Sequence, residues 1–176
     1  YYIMRDALAS NPNIPAGFIQ RGIMTILCTF AGIGMFKIAH KKELDLSYLK
    51  IYGMIFFHVG IARYIYFDLI TLNPYFTEGQ HVGVLPILNG ITLTYGAALA
   101  LSIYAIKTHT ITPFKKQFSG LALVTIFALS SLTVRQLFNG TDLHGGTMSD
   151  GEFYTYSALW LLTGLALVTY GIKYQN

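Results

Sequence analysis

The chain has 176 residues, of which 53% are hydrophobic, 15% aromatic and only 11% charged. Soluble domains carry roughly 25% charged residues, so the composition excludes an ordinary water-soluble fold and points to a polytopic membrane protein. The formal charge of +4 comes from lysines gathered in one set of loops, which removes it as an argument for nucleic-acid binding.

Tyr1-Tyr2-Ile3-Met4-Arg5-Asp6 carries no initiator methionine and lacks the basic, apolar and small-residue order of a signal peptide. We read the chain as a piece of a longer protein. Residues 1–17 include Pro12 and Pro15, which block helix continuation, and are expected to form an extracytoplasmic loop or linker.

Five apolar segments follow, at 18–39, 48–72, 82–106, 116–138 and 152–173. Each is near the roughly 20 residues that cross about 30 Å of hydrocarbon as a helix. Long continuous apolar runs exclude alternating barrel strands, and only helices then satisfy every backbone group inside lipid. The predicted fold is all-α: a transmembrane helical bundle of five helices over 18–176.

The connections alternate in charge. His40-Lys41-Lys42-Glu43-Leu44-Asp45 and the stretch from Lys107 to Gln117 are lysine-rich, whereas 73–81 and 139–151 contain neither lysine nor arginine. All eight lysines (37, 41, 42, 50, 107, 115, 116 and 173) fall toward one side, and Arg5, Arg21, Arg63 and Arg135 toward the other. Positive-inside bias then puts the lysine loops and the C-terminus in the cytoplasm and residues 1–17, 73–81 and 139–151 in the opposite compartment.

Tyr48, Tyr52, Tyr75, Phe76, Phe153, Tyr154, Tyr156, Tyr170 and Tyr174 read as an aromatic belt. Gly32, Gly34, Gly60, Gly90, Gly96 and Gly164 read as helix-packing positions. Cys28, the single cysteine, reads as a small packing residue. His58, His81 and His144 lack the spacing of a metal site, no phosphate-binding glycine motif or catalytic triad stands out, and no cofactor is expected.

Candidate chemistry gathers on the lysine-free side. Arg63 lies deep in the second segment, where an arginine needs a partner. Asp68, five residues on, is about 140° around an α-helix from it, so the two are expected to reach different helices. Asn89 stands in the third segment as interhelical glue or a ligand-facing amide. Arg135 ends the fourth segment. Ser149-Asp150-Gly151-Glu152 has capping-box spacing, and Glu152 also suits a counter-ion for Arg135.

We expect Arg63, Asp68, Asn89, Arg135 and Glu152 to form one polar cluster with Tyr154 and Tyr156 at its rim. Three functions fit such a cluster. The first is binding or moving an anionic or sugar-bearing envelope substrate. The second is a structural or assembly role in an envelope complex, and the third is a membrane enzyme on a lipid-linked substrate, with Asp68 or Glu152 as acid or base. Partners in each case are the bilayer and further transmembrane helices.

Several short motifs recur in one order: Arg63-x4-Asp68-x4-Asn73-Pro74, then Asn89 and Tyr95, then Val134-Arg135-x-Leu137-Phe138-x-Gly140. Glu152-x-Tyr154-x-Tyr156-Ser157-x-x-Trp160-Leu161-x-x-Gly164 and Gly171 follow. This order, over about residues 50 to 175, resembles the C-terminal part of the predicted bacterial membrane proteins called domain of unknown function family 2339. Where that family often reads Phe-His-Gly, this chain has Phe138-Asn139-Gly140, with His144 further on. The resemblance implies a much longer polytopic inner-membrane protein and supplies no activity.

Overall fold

A computed structural model describes residues 17–39, 47–80, 82–85, 88–108, 111–112 and 114–174. The segment 1–16, the lysine loop 40–46, His81 and Pro86 lie outside the described residues. Helix α1 spans Phe18–Ala39, and α2 spans Ser47–Arg63 and continues as π-helical turns over Tyr64–Thr71. Helices α3 (Gly90–Lys107), α4 (Lys115–Asn139) and α5 (Asp150–Tyr174) follow, with no strand among the described residues. All five are long and apolar enough to cross a membrane.

The 22 residues of α1 reach about 33 Å at 1.5 Å per residue, enough for the hydrocarbon core. One boundary differs from expectation. The third segment does not become helical at 82 but at Gly90. Asn89 holds an extended backbone, with φ −146° and ψ −179°, and its side chain accepts from the Thr92 N–H at 2.9 Å as an N-cap. Gly83 takes a φ of 107°, a conformation an L side chain resists. Residues 82–85 and 88–89 therefore form part of a loop at the lysine-free end, although their composition is as apolar as a helix.

The tightest contact is the α1–α2 hairpin, where glycines face each other. A Cβ on Gly32 would lie 2.5 Å from the Phe57 backbone nitrogen, and one on Gly53 would lie 2.7 Å from that of Phe36. Further along, Gly60 admits the Thr29 side chain. Without a hydrophobic drive between helices in lipid, such close backbone approach is what holds two spans together.

Helices α3 and α4 form the second hairpin, and α3 also lies against α1. Two apolar cores result. One, with Phe18, Tyr64, Ile91, Tyr95 and Leu132, sits toward the lysine-free end; the other, with Phe36, Phe57, Leu101 and Phe118, sits toward the lysine end. At the lysine end His58 acts as a strut. The Met54 carbonyl, 2.7 Å from Nδ1, only accepts, so Nδ1 carries a proton, and Nε2 meets the Thr112 hydroxyl at 3.1 Å. Cys28 is half-buried and donates to the Phe56 carbonyl across the hairpin at 3.5 Å, in keeping with a packing role.

Helix α5 is different. Its main neighbour is α4, and almost all of its apolar length is left unburied. Trp160, Leu161, Leu165 and Val168 all point outward.

Candidate functional site

The lysine-free ends of the helices, with the loops between them, hold most of the buried polar side chains. They divide into two ion-paired groups.

In the first, Arg135 near the end of α4 meets Glu152 in the first turn of α5. Arg135 Nη1 lies 2.9 Å from both carboxylate oxygens, and the side chains are 4% and 1% exposed. Arg135 Nε donates to the Leu143 carbonyl at 3.2 Å, and Nη2 donates to that of Gly145. The Tyr75 ring covers the guanidinium face, its centroid 5.5 Å from Cζ. Glu152 is equally filled, because Tyr156 donates to Oε1 and Asn139 to Oε2, each at 3.2 Å.

Local sequence explains how Glu152 arrives there. Ser149 caps α5 through its hydroxyl, which accepts from the Glu152 N–H at 3.2 Å. The Glu152 side chain, instead of closing the box on Ser149, turns to Arg135. The helix cap and the ion pair coexist in one residue.

The second group joins α1 to α2. Asp68 is fully buried in the π-helical segment, and its Oδ1 lies 3.6 Å from Nε of Arg21, which is 3% exposed. Arg21 Nη2 donates to the Leu72 carbonyl and to Gln80 Oε1, both at 3.1 Å. Thr25 makes a long 3.4 Å bond to Asp68 Oδ2.

Asn73 bridges the groups. Its amide donates to Tyr95 at 3.2 Å, its carbonyl accepts from the Tyr75 N–H at 2.9 Å, and Tyr95 donates to the Asp68 backbone carbonyl at 2.5 Å.

The expected single cluster is therefore two groups with a polar bridge. Arg135, Glu152 and Tyr156 come together. Asp68 reaches another helix, but through Arg21, which the sequence reading left outside the cluster. Arg63 stays on its own helix with its guanidinium over the Phe67 ring, 5.1 Å from the centroid. Tyr154 is 70% exposed, two residues from buried Tyr156 and on another side of α5, so it is no part of the rim.

Asn89 lies outside its helix rather than within it. There it donates to Gln136 Oε1 of α4 at 2.5 Å, while Gln136 donates to the Gly83 carbonyl at 2.7 Å. Replacing Asn89 with alanine removes a cap and this bridge together. The expected loss is about 1–2 kcal/mol, read from unfolding in detergent.

Beside the first ion pair lies a cleft of about 270 Å³. Tyr75, Phe76, Tyr156 and Trp160 wall it, and Asn73 and Ser131 supply polar edges. Trp160 Nε1 donates to Ser131 Oγ at 3.3 Å across the α4–α5 seam.

Five apolar spans closed at one end by buried arginine–carboxylate pairs define a polytopic membrane protein. The chain belongs to the family of predicted membrane proteins called domain of unknown function family 2339, whose profile matches residues 7–176. No curated protein and no solved structure matches the chain.

Proposed function

We propose that the chain is a structural module of the bacterial inner membrane, in which the Arg135–Glu152 pair locks α5 to α4 so that α5 presents an apolar face to further transmembrane helices. One observation carries this reading: every nitrogen of the Arg135 guanidinium already donates to Glu152, Leu143 or Gly145, and its face is covered by Tyr75. Four of its five N–H groups are thereby used, whereas an arginine clamping a substrate anion keeps at least two open for it. By lysine bias the lysine ends face the cytoplasm, and residues 1–17, 73–81 and 139–151 face the periplasm.

Single cysteines at each position of α5 from Leu161 to Ile172, in a Cys28→Ser background, test this in native membranes. Packing against another helix predicts cross-links that recur every three to four residues. Labelling by a lipid-phase reagent that is uniform around α5, with no cross-link, contradicts it.

The aromatic cleft supports a second reading, in which an envelope substrate is bound. Trp160, Tyr156 and Tyr75 offer flat apolar surfaces for a sugar ring or hydrocarbon chain, and the ion pair then fixes the walls of the site without touching the ligand.

A further inference from the structure

The two ion pairs at the lysine-free end are built to different standards. Glu152 accepts four hydrogen bonds on its two oxygens, two of them from Arg135 at 2.9 Å. Asp68 is as fully buried, yet its Oδ2 receives only the 3.4 Å bond from Thr25 and its Oδ1 accepts none. The Arg21 guanidinium meets it through Nε at 3.6 Å, longer than a normal hydrogen bond.

On the other side of Arg21 lies Nε2 of Gln80, a buried polar atom without a partner, whose own amide oxygen accepts from Arg21. Gln80 is 1% exposed. Buried polar atoms left unpaired by protein are the places where ordered water sits, since one water both donates to a carboxylate and accepts from an amide.

Arg21 has anchors besides Asp68. Its Nη2 is held by the Leu72 carbonyl and Gln80 Oε1, so neutralising Asp68 leaves the guanidinium anchored. Asp68 also lies three residues from the end of the π-helical segment at Thr71, within a turn of the loop that carries Gln80. Rare π-helical turns concentrate at functional positions.

We propose that Asp68 is a proton-exchanging site, hydrated from the lysine-free end of the bundle past Gln80. That water relays a proton from hydronium at the lysine-free surface to the carboxylate and carries it back by the same route, while Glu152 stays held by Arg135, Asn139 and Tyr156. The groups that act on Asp68 are Arg21 and Thr25 from α1, Arg63 and Tyr64 from α2, and Tyr95 from α3. A protonatable carboxyl inside a membrane bundle is the usual element of a proton relay.

Dicyclohexylcarbodiimide tests the proposal in native membranes, because it modifies the protonated acid and not the carboxylate. Peptide mass spectrometry is expected to find the adduct on Asp68, formed more slowly as pH rises, and to find none in Asp68→Asn. Asp68 left unmodified at every pH, or modified at a rate that pH does not change, overturns the proposal. Modification of Glu152 is a separate result, which overturns the lock and leaves the Asp68 proposal to its own readout.

Discussion

Replacing Arg135 with alanine is expected to cost about 3–5 kcal/mol, the loss typical of breaking a buried pair by removing one partner. Three deficits combine. Glu152 becomes a buried anion held only by Asn139 and Tyr156, the Leu143 and Gly145 carbonyls lose their donor, and Tyr75 loses the cation above its ring. Lysine is expected to rescue little, because a point charge on a flexible stem does not reach one carboxylate and two carbonyls at once. Exchanging the charges is no remedy either, since a glutamate at 135 would face those carbonyls. The loss is read in detergent from the fluorescence of Trp160, the sole tryptophan, which spans the α4–α5 seam.

The second large effect is at the α1–α2 crossing. Gly53→Val is expected to lower stability by about 1–3 kcal/mol or more, the range for overpacking a close contact. The obstruction is backbone, with Phe36 N at 2.7 Å and the Gly32 carbonyl at 2.8 Å from the new Cβ, so no side-chain rotation relieves it. Gly34→Ala is the control. It sits on the same hairpin with nothing within 4 Å of its Cβ, and alanine there is expected to be neutral or to stabilise by up to about 1 kcal/mol through helix propensity. The opposite signs separate crowding from a general dislike of mutation, with unfolding by denaturant as the measurement.

These glycines also show where sequence reading stops. Gly32, Gly60 and Gly90 were expected at packing positions and meet other residues, whereas Gly34 and Gly164 face open space and Gly53 was not singled out. Composition shows which residues permit close approach; only the neighbouring helix decides which permission is used. Four of the five spans were legible to within two residues at the ends the structure describes, because apolar length against a fixed hydrocarbon thickness is a property of each segment alone. The third failed at its start, since Val82, Val84, Leu85 and Leu88 are as apolar as a helix. What keeps that stretch out of α3 is the Gly83 conformation, the Asn89 cap and the bonds to Gln136.

The same boundary runs through the site. Glu152 and Arg135 could be linked in sequence because the capping motif fixes where α5 starts and the loop between them is short. Arg21 and Asp68 are separated by a whole hairpin, and nothing in their local sequence says that α1 and α2 meet there. Arg21 carried one usable signal, an arginine inside an apolar span, identical in kind to the one that drew attention to Arg63. Tyr154 and Tyr156 look alike in sequence, but their angular offset on α5 buries one and exposes the other.

The lock is tested most directly by a double-mutant cycle on Arg135→Ala and Glu152→Ala, followed through Trp160 fluorescence during unfolding. If the pair is closed as described, removing the second partner costs little once the first is gone, and the coupling energy is about 2 kcal/mol or more. Losses that simply add would show that the two side chains act independently, and would return Arg135 to the list of groups open to a ligand.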